Sequence, residues 1–375
     1  MSENSESLTY AKHLCLDTLL DCQRRQSALQ GCPAHDEMLF ITVHQAYELW
    51  FKQILFELDR VQTAFSGETV DERNIGQVVH GLIRIVEINK LLVQQLDVLE
   101  TMTPLDFLDF RDLLFPASGF QSVQFRLLET RLGLARGERL SPDARPFDAT
   151  LGADDRVRIG EAESRPSLAD NLESWLERTP FVSTAGYRFQ EAYRQAVAEI
   201  FAADSAMVRA NPALGEAKKA AELESLASAQ RHFDSLFDPE KFRALREQGL
   251  WRFSSRALQA ALFINLYRDE PALQLPFRLL SLLMDMDETL TLWRYRHALM
   301  AQRMIGRKVG TGGSSGFDYL RQSAERHRVF ADLFALSTFF IPRSKLPPLP
   351  DSLRREMDFR YAESQTEANP TDGPA

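Results

Sequence analysis

FITVHQAYELWFKQILFELDRV, residues 40–61, decides the fold. Val43, Tyr47, Trp50, Phe51, Ile54, Leu55 and Leu58 recur every three to four positions, the period of one face of an α-helix. The same period governs most of the remaining chain, and the alternation expected of strands is scarce. Ile75, Val78, Val79, Leu82, Ile85, Val86 and Leu92 mark a second long helix over about 72–99. Thr103-Pro104 reads as an N-cap followed by proline at the first helical position. It opens a short helix holding Phe107, Phe110, Arg111 and Leu114, which Pro116-Ala-Ser-Gly119 ends before another helix starts near Phe120. Further helices are predicted over 168–177, 188–204, 217–236, 256–267, from just after Pro276 to Ile305, and over 317–338. The chain is therefore expected to be all-α, a large helical bundle around a shared core.

Composition narrows the function by exclusion. With 375 residues, 44% of them hydrophobic, the chain can bury a substantial core. A net charge of −9 without a basic stripe argues against nucleic acid as a partner. Arg278 and Asp285 interrupt the strongest apolar stretch, so no membrane span is expected. Cys15, Cys22 and Cys32 fit no common zinc spacing, and the polar, acidic N-terminus lacks the apolar core of a signal peptide. Reduced thiols in a cytoplasmic protein are the expectation. Organisation is read as an N-terminal arm with a short helix (1–34), a helical domain (35–345) and a polar tail (346–375). Within the domain, residues 135–166 are rich in Arg, Asp, Glu, Gly and Pro and read as a surface excursion.

The candidate chemistry lies on three helices and two loops. Leu290, Trp293, His297, Met300 and Met304 form a seam of three- and four-residue steps that turns His297 inward. By spacing alone, His297 is either a core histidine satisfied by one hydrogen bond or an axial ligand whose neutral nitrogen binds haem iron. Phe40 and His44 share a helix face, as do Phe107 and Arg111. Asp106, Asp109 and Asp112 would take the wet face of the second pair's helix. A guanidinium beside an aromatic ring suits an amino-acid carboxylate, which arginine grips in a fork. Thr311-Gly-Gly-Ser-Ser-Gly316 is too glycine-rich to continue a helix and lacks the Gly-Lys-Ser/Thr ending of a nucleotide loop. It could instead fold over a zwitterion or a haem propionate, and Ser118 could do similar work. His80 and His232 read as packing or surface residues, and His327, among Glu325, Arg326 and Arg328, as solvated.

Together these segments resemble the tryptophan 2,3-dioxygenase family. The residues that carry the resemblance are His35-Asp-Glu-Met-Leu-Phe40, His44-Gln-Ala-Tyr-Glu-Leu-Trp-Phe-Lys-Gln53, Pro104-Leu-Asp-Phe107-Leu-Asp-Phe110-Arg111, Pro116-Ala-Ser-Gly-Phe-Gln-Ser122, Trp293-Arg-Tyr-Arg-His297 and Gly310-Thr-Gly-Gly-Ser-Ser-Gly316. The resemblance implies an all-α helical bundle of the haem dioxygenase type, a homotetramer with one haem b between helices of each subunit. It implies insertion of O₂ across the indole C2–C3 bond of L-tryptophan to give N-formyl-L-kynurenine, the first step of the kynurenine route. By the same resemblance His297 is the iron ligand, His44 the distal histidine near the indole N–H, and Phe40 and Phe107 the aromatics that sandwich the indole. Arg111 and Thr311 hold the zwitterion, Ser118 lies near haem and substrate, and Tyr10 and Leu14 reach a neighbouring subunit's site. Two positions depart from the family pattern: His13 replaces a tyrosine, and Phe115 replaces the serine before Pro-Ala-Ser-Gly. His13 would bring a titratable group toward the neighbour's pocket and Phe115 would add bulk near the distal side. The rival readings are a related haem monooxygenase forming an oxindole-type product from tryptophan or a β-methyl tryptophan, a haem sensor and a helical scaffold.

Overall fold

The computed structural model describes residues 7–65, 67, 69–140, 146–306 and 316–359. The fold is all-α, in two compact units: Met1–Leu176 with Leu279–Ala335, and Glu177–Arg278 with Leu336–Ala375. No helix among the described residues is long and apolar enough to cross a membrane.

The first unit opens with three short helices, α1 (Tyr10–Leu14), α2 (Leu16–Leu19) and α3 (Gln26–Leu29). The carboxylate of Glu37, at the start of α4 (Glu37–Phe65), accepts the backbone N–H groups of Gln26 (2.7 Å) and Ser27 (2.9 Å). That contact satisfies orphan donors of α3 and ties it to the helix that carries Phe40 and His44. α4 packs along α5 (Glu72–Leu99), burying Ile54, Leu58 and Val61 together with Val78, Leu82 and Ile85. At Gly81 the helices approach so closely that an added Cβ would stand 3.1 Å from Val61 Cγ2. α6 (Pro104–Arg111) begins as its sequence predicts. Thr103 Oγ1 accepts the Asp106 N–H and the Asp106 carboxylate accepts the Thr103 N–H, a reciprocal capping box with proline at the first position.

α7 (Val123–Leu132), α8 (Ala153–Glu163) and α9 (Leu168–Glu177) complete this half of the chain. Among the described residues of 135–166, expected to be a surface excursion, Phe147, Leu151 and Ile159 form a buried cluster with Leu127 of α7. The Arg139 guanidinium covers the Phe147 ring at 4.0 Å from its centroid. The charged, Gly- and Pro-rich composition concealed a few widely spaced apolar anchors that suffice to dock the segment.

The second unit holds a two-stranded antiparallel ribbon, β1 (Ser183–Thr184) and β2 (Tyr187–Arg188), then α10 (Phe189–Ala210), α11 (Glu216–Ser235), α12 (Pro239–Glu247) and α13 (Ser255–Leu266). Two of its tyrosine hydroxyls find backbone acceptors: Tyr193 donates to Phe339 O (2.6 Å) and Tyr267 to Pro347 O (2.8 Å).

α14 (Gln274–Ile305) leaves this unit and enters the first at Leu279. α15 (Gly316–Arg326) and the short α16 (Ala331–Ala335) follow, so the single helix expected over 317–338 is broken after Arg326. The break has partners waiting on α14. Asp287 accepts the N–H groups of Val329 (3.0 Å) and Phe330 (3.3 Å), and Arg294 donates to His327 O (3.1 Å). These side chains satisfy backbone groups that a continuous helix would have satisfied itself. α17 (Asp351–Met357) buries Leu353 and Met357 in the second unit, and residues 360–375 of the expected polar tail lie outside the described residues.

The docking of 135–166 is testable on a single helix. Ile159→Ala should destabilise the protein by about 2–5 kcal/mol, while Val157→Ala, two residues away and 60% exposed, should stay within about 0.5 kcal/mol. Denaturant midpoints for the two variants check this; equal, small shifts would restore the surface-excursion reading.

Candidate functional site

α4, α6, α7, α14 and α15 of the first unit enclose a cavity of about 300 Å³. Six of the residues singled out from sequence line it: Phe40, His44, Phe107, Arg111, Ser118 and His297. Helical spacing explains the pairs. Phe40 and His44 are one turn apart on α4, as are Phe107 and Arg111 on α6.

The aromatic wall is continuous. Phe40 and Phe107 stack with centroids 5.7 Å apart, and the fully buried Phe110 meets both edge-on at 5.6 and 5.4 Å. A third ring between them would need a separation of about 7 Å, two van der Waals contacts. In this structure the two rings therefore make one wall rather than a slot, with Phe110 as the wedge behind it. Arg111 flanks that wall. Its side chain is 15% exposed whereas that of Asp112, 3.6 Å away, is 91% exposed. Of the three aspartates, Asp109 and Asp112 face water and Asp106 is engaged in the cap.

The two histidines differ in state. His44 Nδ1 lies 2.7 Å from Phe40 O, and a carbonyl only accepts, so Nδ1 carries the proton. Nε2 is then an acceptor. The ring can be reached from the cavity, yet enough protein surrounds it that burial lowers its pKa, against the raising effects of the Phe40 carbonyl and Glu48. His297 is pushed down to about 4, first by burial and then by His44. It is therefore neutral at pH 7. Its Nδ1 is buried with no hydrogen-bond partner among the described residues. The ring stacks on Trp293 (5.3 Å, 26°), which in turn packs against Tyr47, Phe51 and Phe125.

Other expectations fare differently. Thr311 and the run to Ser315 lie outside the described residues. Tyr10 and Leu14 are exposed on α1 and do not line the cavity. Phe115 was expected to add bulk beside the pocket; it is exposed and outside the lining, because the chain turns extended there after the 3₁₀ turn Asp112–Leu114. His327, expected to be solvated, is buried and lines the cavity. Its Nε2 accepts the Leu140 N–H (3.2 Å) and its Nδ1 donates to Glu129 (3.3 Å).

Glu129 was not foreseen either. Burial alone would raise its pKa, but the His327 hydrogen bond and the guanidiniums of Arg126, Arg294 and Arg139 outweigh that and hold it well below the usual carboxylate range. Arg126, Glu129, Arg294, Tyr319 and Ser323 all reach the cavity. One signal was available in the sequence: Arg126 and Glu129 flank Leu127-Leu128 at helical spacing, charges set into an apolar run.

The tryptophan 2,3-dioxygenase family model matches residues 1–340, which contain the entire cavity lining. A tryptophan 2,3-dioxygenase of Bdellovibrio bacteriovorus is 52% identical over 352 residues, 94% of this chain and 98% of that protein. One from Alteromonas mediterranea is 45% identical, covering 96% and 99%, and one from Dictyostelium discoideum 44%, covering 94% and 88%. Identity of that extent, spanning every element that builds the cavity, means that the chain belongs to the tryptophan 2,3-dioxygenase family.

Proposed function

We propose that this protein inserts both atoms of O₂ across the indole C2–C3 bond of L-tryptophan, giving N-formyl-L-kynurenine. It does so with one haem b held on His297 in each subunit of a cytoplasmic homotetramer. The observation that carries the reading is one cavity containing a neutral imidazole with an unpartnered nitrogen, a second imidazole of fixed tautomer, and an arginine beside an aromatic wall.

The residues present fit a haem. Among the described residues no group of three or more His, Cys, Asp or Glu side chains could hold a bare metal ion. A metal carried in a macrocycle needs only one protein ligand, and a neutral imidazole supplies it. When bound, the haem iron supplies activation of O₂ while the substrate supplies the electrons. The chain's own residues supply placement. Arg111 grips the substrate carboxylate in a bidentate fork, and Thr311 adds contacts to the ammonium and carboxylate. The indole lies against the Phe40–Phe107 wall with its N–H directed to the Nε2 acceptor of His44. That N–H is far too weakly acidic to be lost to an imidazole of lowered pKa, so His44 orients the ring rather than deprotonating it. Fixing both ends makes the reaction effectively intramolecular, which contributes roughly 7–11 kcal/mol. The apolar wall excludes water from the reacting edge. Tyr10 and Leu14, apolar and exposed on α1, are available to a neighbouring subunit.

Anaerobic reduction with L-tryptophan followed by O₂ tests the reaction. A ring-opened product gaining two oxygen atoms is expected; a gain of one would instead identify a monooxygenase. His297→Ala should retain helical circular dichroism but lose the native Soret spectrum, and an unaltered spectrum would remove His297 as the ligand. Arg111→Ala should lower kcat/KM roughly 10- to 100-fold, more than Thr311→Ala, because a charge-assisted contact is the stronger one. Equal, small losses in steady-state kinetics would contradict the carboxylate assignment.

A further inference from the structure

Glu37 is fully buried at the start of α4, and its side chain makes no ion pair among the described residues. Its carboxylate instead collects three donors: the Gln26 N–H at 2.7 Å, the Ser27 N–H at 2.9 Å and the Ser27 hydroxyl. The same hydroxyl oxygen accepts the Ala34 N–H at 2.9 Å, so its own proton is directed to Glu37. A buried carboxylate is costly to desolvate, and an apolar contact would join α3 to α4 at less cost. What the hydrogen bonds add is distance and direction. A helix of four residues has too little stability of its own to keep a place without such contacts.

The place of α3 matters because of what it touches. Glu37 precedes Phe40 by one turn of α4. One residue past His44, Gln45 Oε1 accepts from Gln23 Nε2 at 2.8 Å. Residues 23–27 therefore hold α4 at two points that bracket Phe40 and His44. α3 also packs against the 3₁₀ turn Asp112–Leu114, which follows directly on Arg111 at the end of α6. It thus bears on both arms of the cavity wall, the one with Phe40 and His44 and the one with Phe107 and Arg111. Neither Glu37 nor any residue of α3 lines the cavity, so whatever they do to a bound molecule acts through those arms.

We propose that Glu37 is a positioning residue for the substrate: by fixing α3 between α4 and the turn after Arg111, it sets the span from the His44 ring acceptor to the Arg111 guanidinium. The inference rests on the tryptophan reading above, in which these two groups take the indole N–H and the carboxylate, and it adds the residue that fixes their separation. A ligand gripped at both ends is sensitive to that span: a misplacement of about 1 Å can cost on the order of 100-fold in rate. For a ligand gripped at one end the span is irrelevant.

Anaerobic calorimetric titration of the haem-loaded enzyme separates this from a purely structural role. Glu37→Gln keeps the size of the side chain but turns an amide donor toward the donors of α3. It should weaken L-tryptophan about tenfold, yet cost less than about twofold in an Arg111→Ala background, where the carboxylate end is already released. Tryptamine, which lacks the carboxylate, gives the same comparison without a second substitution and should also change by less than about twofold. Ser27→Ala removes one of the three donors and should follow the same pattern with a smaller loss. General loosening of the fold would act equally in both backgrounds, because independent effects add. Equal losses in the two backgrounds, or no loss in either, overturn the inference and leave the tryptophan reading intact. If Arg111→Ala by itself leaves L-tryptophan affinity unchanged, the carboxylate assignment fails and this inference with it. Should binding to Arg111→Ala be too weak for calorimetry, kcat/KM supplies the same ratios. Should Glu37→Gln not fold, Ser27→Ala in the two backgrounds decides the matter by the same outcomes.

Discussion

Four parts of the first unit meet at the carboxylate of Glu129. Arg126 comes from its own helix α7, Arg139 from the segment after it, Arg294 from α14 and His327 from the turn after α15. Each contact constrains a partner that is itself constrained: Arg139 also donates to Thr130 Oγ1 at 2.6 Å, and Arg294 also donates to His327 O. A buried cluster of this kind adds little net stability, because desolvation offsets most of the attraction. Its effect is on register. α14 cannot slide or rotate past α7 without leaving a buried guanidinium or the carboxylate unpaired, and an unpaired buried charge costs several kcal/mol. Since α14 also carries His297, the position of the imidazole in the cavity follows from the position of an ion cluster one turn away.

The three histidines of the cavity illustrate how one residue type is given separate tasks by hydrogen bonding. His44 spends its Nδ1–H on a carbonyl one turn back and keeps Nε2 as an acceptor. His327 uses both nitrogens within the protein and is purely architectural. His297 is neutral and backed by an aromatic stack, with Nδ1 unpartnered among the described residues. A ligand must offer an unprotonated nitrogen, and burial is what keeps this one unprotonated across the physiological range.

Local physics was legible in the sequence and long-range partnership was not. The helices α4, α5 and α14 follow from periodicity, and the start of α6 from Thr103-Pro104-Leu-Asp106, because those signals lie within a few residues of one another. Phe40 with His44, and Phe107 with Arg111, could be paired for the same reason. His327 could not be read: its neighbours in sequence are charged, and its burial depends on Glu129, 198 residues away. The break after Arg326 depends on Asp287, and the docking of 135–166 on a few anchors beneath a polar composition. Nor does the sequence mark the division into two units: Pro276 stands two residues before it but lies in the first turn of α14, which runs on through Arg278–Leu279 without a break.

The aromatic wall bears on selectivity. Phe110 meets Phe40 and Phe107 edge-on and is fully buried, so the two rings are held from behind by a side chain that cannot move without opening the core. A flat bicyclic ring laid on such a wall gains contact over its whole face, whereas an aliphatic side chain of equal volume touches it only in part. Face contact alone does not fix rotation in the plane of the wall. In the proposed function two further points would do so: the His44 acceptor for a ring N–H and the Arg111 guanidinium for a carboxylate. An isostere lacking the ring N–H keeps the apolar contact but leaves a buried acceptor unpaired, which discriminates more strongly than the loss of a methylene. In the proposed function, recognition of an indole amino acid would depend on one rigid surface and two polar points, and Phe110, which holds that surface from behind, does not line the cavity.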